Sequence, residues 1–208
     1  MPNIPDSIGY INKLRQFGTN YSPGKLFISA SAGGYNNTNF YFDGVGGDAW
    51  ERTARDGVLA YGASTSAVHF AATNGTAISN LVNIAGYLSE GSHGWQSPNW
   101  AIDGTSVTST GAGGWFIMAT DESYNGTWSG QSQSSFTTWF AGNALGGTNS
   151  GYAPVGAVCH VWEPGGLGND PYIYYGLWQA GKAFAICAWN SRTVRHRVQA
   201  IGDPFVQR

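Results

Sequence analysis

Between Asp56 and Gly181 the chain has no lysine and no arginine, a gap of 126 residues. Without cations, this stretch cannot build a phosphate cradle with a P-loop lysine. Its seven acidic residues repel the nucleic-acid backbone. Charged residues of all kinds are scarce, at 11% against about 25% in typical domains. Nucleic-acid partners are therefore not expected, and neither is a lysine or arginine in a catalytic role within the gap.

Other absences narrow the field further. No apolar run approaches the ~18–20 residues of a spanning helix, so membrane insertion is not expected. The first 16 residues lack the apolar core of a secretory signal, which leaves the four N-x-[ST] sites at Asn20, Asn36, Asn74 and Asn125 without a route to glycosylation. The only two cysteines, Cys159 and Cys187, have no metal-ligand spacing and lie in apolar runs. Two buried thiols are expected, with a cross-strand disulfide only in an oxidising compartment.

No G-x-S-x-G elbow, H-x-x-x-H or C-x-x-C occurs. His69 and His160 sit in strand-like runs and His196 among arginines, so only His93, in a loop, merits attention as a functional histidine. The segments Asp43–Asp48 and Asp121-Glu122 with Asn125 offer oxygen ligands but lack EF-hand spacing. The expectation is no catalytic residue, no metal and no cofactor.

What is abundant is glycine and aromatic surface. The cation gap holds 22 of 31 glycines and seven of nine tryptophans. Residues 123–162 contain no charged side chain at all. Such a surface is solvated by Ser, Thr, Asn and Gln, or it is covered. Low charge reduces the cost of covering it.

Helical spacing of Ile8, Ile11, Leu14 and Phe17 predicts one helix over residues 6–18, capped by Asp6 or Ser7 and stopped by Gly18. An amphipathic helix of this kind docks on its own sheet or on a neighbouring subunit, and the sequence does not choose. The remainder is punctuated like an all-β protein. Strands are expected at Lys25–Ser29, Asn39–Val45, Gly57–Tyr61, Ala67–Thr73, Trp115–Asp121, Phe136–Phe140, Val155–Glu163, Tyr172–Gln179, Ala183–Trp189 and Thr193–Ile201. Residues 76–90 fit helix or strand and lean to strand. Tyr172–Trp189 reads as a hairpin turning at Ala180-Gly181-Lys182. Arg192, Arg195 and Arg197 read as alternate solvent-facing positions of one strand. The expected organisation is a helix and arm at 1–24, followed by a single β-sandwich or jelly-roll domain at 25–208.

Sugars stack on flat aromatic faces and bond to amide, carboxyl and hydroxyl groups. Trp95, Trp100, Asp103, Tyr124, Asn125 and Trp128 supply those groups at loop-like positions. They form the candidate glycan-binding set, provided several rings are exposed together. A glycosidase needs two carboxylates at a defined separation. Glu90, Asp103, Asp121, Glu122 and Glu163 are the pool.

Leu81–Thr108, with Pro98-Asn99-Trp100-Ala101-Ile102-Asp103-Gly104-Thr105 after a polar loop, resembles the centre of discoidin-type galactose-binding-like domains. That resemblance implies a jelly roll that binds sugars or surfaces. The Asn/Gly/Ser/Thr-rich body, the few charges and the strand-like end Arg197–Phe205 make the whole chain similar in style to bacteriophage virion proteins. This implies a non-enzymatic structural and adhesive component of a tail, baseplate or capsid surface. Its implied partners are copies of itself, other virion proteins and host glycans. The implied location is the virion after synthesis in the host cytoplasm. A lectin or carbohydrate-binding module is the alternative, and a polysaccharide-degrading glycosidase the second.

Overall fold

Two short segments, Ile117–Thr120 and Gly156–His160, are buried at every residue. Strands covered on both faces read as continuous apolar runs, and that pattern belongs to parallel sheets sandwiched between helices. The computed structural model has this architecture. It describes residues 4–17, 24–30, 49–64, 68–72, 78–81, 84–89, 107–109, 115–120, 122–128, 133–144, 147, 149–163, 168–194 and 196–208.

Helix α1 (Ile4–Phe17) precedes strand β1 (Lys25–Ala30), helix α2 (Ala49–Ala60), and strands β2 (Val68–Ala72), β3 (Ile78–Leu81), β4 (Ile84–Ser89), β5 (Val107–Ser109) and β6 (Ile117–Thr120). Then come α3 (Phe136–Trp139), β7 (Gly156–His160), α4 (Pro171–Gln179), α5 (Phe184–Asn190) and β8 (Val198–Gly202). Six strands form one sheet in the order β2-β1-β4-β6-β7-β8. Its pairings are parallel as far as β7, and β8 closes the edge antiparallel. Strands β3 and β5 pair separately.

The expected all-β sandwich is therefore wrong, and with it the jelly roll implied by the discoidin resemblance. Parallel strands need long crossovers, and helices supply them. Successive strand residues divide between two cores. Ile117, Ala119 and Val158 face Val58, Tyr174, Trp178 and Phe184. Phe116, Met118, Ala157 and Cys159 face Trp139, Phe140 and Tyr10. Cys159 and Cys187 are buried free thiols, as their apolar context predicts.

The expected hairpin over Tyr172–Trp189 is the helix pair α4–α5. Asp170 caps α4, accepting from Tyr172 N, and Pro171 occupies its first turn. At the other end Gly181 (φ +73°) donates to Trp178 O and Lys182 N to Leu177 O. These two bonds are a Schellman stop. The predicted strand Phe136–Phe140 is α3, capped by Ser135. The predicted strand Gly57–Tyr61 begins in the last turn of α2. The predicted strand Asn39–Val45 lies outside the described residues. The strand leaning for residues 76–90 agrees with β3 and β4. Of the arginine strand, among the described residues only the part after Arg197 is strand.

Helices α2 and α4 meet where neither has a side chain. A Cβ on Gly57 would stand 2.2 Å from Tyr172 O, and one on Gly176 2.7 Å from the Tyr61 ring. Gly57→Ala gains about 1 kcal/mol of helix propensity but drives a methyl into backbone. We expect a net loss of about 2 kcal/mol or more in chemical denaturation. A stabilised Gly57→Ala variant would contradict this helix contact.

Helix α1 lies on the chain's own body. Tyr10 Oη donates to Val155 O at 2.6 Å and accepts from Asp203 N at 2.8 Å. Lys13 Nζ donates to Ala153 O. Asp6 Oδ1 accepts from Gly142 N at 3.0 Å. The inward face is thus Asp6, Tyr10 and Lys13, while Ile8 and Ile11 point outward, 53% and 54% exposed.

Candidate ligand site at the carboxyl ends of the central strands

In open α/β sheets, ligands bind outside the carboxyl ends of the strands, near the point where strand order reverses. Here the order reverses between β1 and β4. The segments that follow them, 31–48 and 90–106, lie outside the described residues. The neighbouring ends, those of β6 and β7, carry a polar cluster.

Residues 122–128 leave β6 and cross the end of β7. Asn125, fully buried, ties this crossing down. Its Nδ2 donates to Thr120 Oγ1 at 2.8 Å, and its Oδ1 accepts from His160 N at 2.6 Å. Gly126 N donates to His160 O at 2.8 Å, and Gln199 Nε2 donates to Gly126 O at 2.7 Å. Buried polar groups must be paired in this way. The short crossing also places Tyr124 at φ 57°, a region that non-glycine residues seldom occupy.

Beneath the crossing, the Glu122 carboxylate is held by protein donors. It accepts from Ser134 N at 2.7 Å, from Thr120 Oγ1 at 2.5 Å and from Ser134 Oγ. His160 Nδ1 lies 2.6 Å from Glu122 O. A carbonyl only accepts, so Nδ1 carries the proton and Nε2 the lone pair. Burial pushes this imidazole below its ordinary pKa, against the opposing pull of the Glu122 carbonyl and the Glu163 carboxylate. It is neutral at pH 7. Its Nε2 has no hydrogen-bond partner among the described residues. Gly168 closes over it, since a Cβ there would stand 2.4 Å away. The histidine is a post of the floor, in keeping with its strand context.

Above the floor Trp162 and Glu163 are exposed, while Ser123 stays buried between them and Gln133. Ser123 Oγ donates to Glu163 Oε2 at 2.7 Å and accepts from Gln133 Nε2 at 3.1 Å. Arg197 Nη1 anchors the Glu163 carbonyl at 2.6 Å. Beside this chain the Trp162 ring, 59% exposed, tilts against Tyr124 at 5.8 Å between centroids. Trp128, 65% exposed, rests on Phe136 at 5.3 Å. Trp162 therefore presents an open indole face next to the exposed Glu163 carboxylate, and Trp128 presents a second at the end of the same crossing.

Of the six residues expected to bind glycan, Trp95, Trp100 and Asp103 lie outside the described residues. All three fall in the segment that follows β4. Tyr124 and Trp128 belong to the rim. Asn125 has both amide atoms committed to the protein and offers no surface. Ser123, Gln133 and Trp162 were missed. The signal for Trp162 was an aromatic at the end of an apolar strand, directly before Glu163-Pro164-Gly165-Gly166. No group of three or more His, Cys, Asp or Glu side chains among the described residues is placed to hold a metal. His93 and the Asp43–Asp48 segment lie outside the described residues. No described helix is long and apolar enough to cross a membrane.

No protein-family model, no curated protein and no solved structure matches the chain.

Proposed function

We propose that this edge of the sheet binds carbohydrate without cleaving it. One observation carries the reading: Trp162, exposed and backed by Tyr124, stands beside the hydrogen-bonded chain Gln133–Ser123–Glu163. A pyranose has an apolar face for an indole and hydroxyls for a carboxylate, which Ser123 and Gln133 hold in place from behind. The acidic pair required of a glycosidase is not supported among the described residues. Glu163 is open, whereas Glu122 is turned inward onto Ser134 and Thr120. In the setting implied by the sequence style, such a site serves adhesion of a virion component to host glycans.

The test is a glycan array followed by calorimetry on the hits. We expect Trp162→Ala to weaken binding about tenfold or more, as removal of a stacking Trp does at an interface centre. Glu163→Gln should weaken it less, and no reducing ends should be released from the bound glycan. No binding across a broad array, or full affinity in Trp162→Ala, would remove the proposal.

A further inference from the structure

The segments that follow the central parallel strands share one omission. Strands β1, β4, β6 and β7 are followed by residues 31–48, 90–106, 121–135 and 161–170, which together hold eight Asp or Glu side chains and no Lys or Arg. All ten cations of the chain lie elsewhere in the sequence. At the candidate site the charge is one-sided in the same way. The Glu163 carboxylate is exposed, and Ser123 Oγ is its one hydrogen-bond donor among the described residues. Arg197 touches this segment, but its guanidinium bonds main chain and a ring: Nη1 donates to the Glu163 carbonyl at 2.6 Å, and Nε to His196 Nε2 at 3.0 Å. Among the described residues no cation pairs with the Glu163 carboxylate.

We propose that the site selects by charge, binding amino sugars with a free ammonium group more tightly than their neutral counterparts and turning away uronic acids. This rests on the carbohydrate reading above and adds to it the charge of the ligand. Trp162 and Glu163 are chain neighbours and both are exposed. An ammonium group on a pyranose stacked at the indole meets two attractions, the electron-rich ring face and the carboxylate. Ser123 holds one carboxylate oxygen, Oε2, from the protein side, so that Oε1 is turned over to the ligand. A sugar carboxylate in the same place meets a like charge, which is repulsive, and finds no described cation placed to hold it. Each attraction is modest at an exposed site, so the preference for the amino form should be about three- to tenfold.

Calorimetry with matched oligosaccharides tests this, using glucose and galactose oligomers beside their 2-amino, N-acetylated 2-amino and uronic acid forms. For a backbone that binds, the amino form should bind about threefold or more tighter than the N-acetylated form, and the uronic acid form weakest. Raising NaCl from about 20 to about 500 mM should shrink that lead, because salt screens exposed charges. Glu163→Gln, which keeps an acceptor oxygen for Ser123, should erase the lead with circular dichroism unchanged. Equal affinity for amino and N-acetylated forms would overturn the proposal and leave the carbohydrate reading in place. Uronic acids bound as tightly as neutral sugars, or a lead that survives in Glu163→Gln, would do the same. Binding of no saccharide in the set or on the array would remove both readings together.

Discussion

Lys13→Met should make the protein more stable at pH 7, by about 1–4 kcal/mol. Lys13 is 3% exposed. Its ammonium lies 5.8 Å from the centroid of the Phe116 ring and donates to the Ala153 carbonyl. Burial lowers its pKa from 10.5 to about 7. The folded state therefore resists charging a group that the unfolded chain charges freely. Between pH 7 and 10.5 the unfolded chain binds the extra proton, so stability from this group rises with pH across that window. The benefit is complete above 10.5 and lost as pH falls through about 7. Methionine removes the desolvation cost and keeps the volume, at the expense of one hydrogen bond worth about 1 kcal/mol. For a chain of this size the gain corresponds to a melting temperature higher by roughly 2–16 °C.

The informative quantity is the difference between Lys13→Met and wild type as pH varies. Tyr10 and Cys187, both pushed up to about 12 by burial, reduce stability at alkaline pH. His160, pushed down by burial, reduces it in acid. Those contributions are common to both proteins and cancel. The variant's advantage should be greatest at or below pH 7 and shrink steadily toward pH 10. An advantage independent of pH would mean that Lys13 is not buried as described.

Asn125→Ala should cost about 2–4 kcal/mol and loosen the rim of the candidate site together with the fold. The substitution leaves His160 N–H without its buried acceptor and Thr120 Oγ1 without a donor, and each unpaired buried group costs about 1–3 kcal/mol. Asn125→Asp keeps an acceptor for His160 N but removes the Nδ2 donor to Thr120 and buries a charge beside Glu122. It should be at least as damaging. Because residues 122–128 carry Tyr124 and Trp128, glycan affinity should fall in Asn125→Ala even where the protein remains folded. Amide exchange of Gly126 and Thr127 should accelerate first. Unchanged exchange there would show that Asn125 does not hold the crossing.

The sequence was informative about local elements and misleading about their assembly. Runs such as Lys25–Ser29 and Val155–Glu163 were legible as strands because β-branched and aromatic side chains cluster between turn residues. Their parallel pairing was not legible, because the helices that cover the sheet were disguised. In α4, Ile173, Tyr174, Tyr175 and Trp178 look like strand residues. Inside the molecule they serve a helix whose buried Tyr174, Tyr175 and Trp178 face the sheet, and whose polar tips bond sheet carbonyls, Tyr175 to Tyr87 O and Trp178 to Ala85 O. The turn at Ala180-Gly181-Lys182 was correctly placed, but it ends a helix where a hairpin was expected. In α1 the periodicity was right, but periodicity cannot tell which partner covers an apolar stripe, and the sequence left that open. In the candidate site Asn125 was visible as a polar loop residue, yet its bond to His160 N joins positions far apart in sequence. Trp162 and Ser123 are brought together only by the parallel pairing of β6 and β7.

The most direct test of the carbohydrate reading is an oligosaccharide titration followed on the indole N–H signals in two-dimensional NMR. Trp128 and Trp162 are exposed, whereas Trp139 and Trp178 are fully buried. The account predicts saturable shifts of the Trp162 and Trp128 signals, with Trp139 and Trp178 unmoved. Saturable binding that leaves Trp162 and Trp128 unshifted would contradict it.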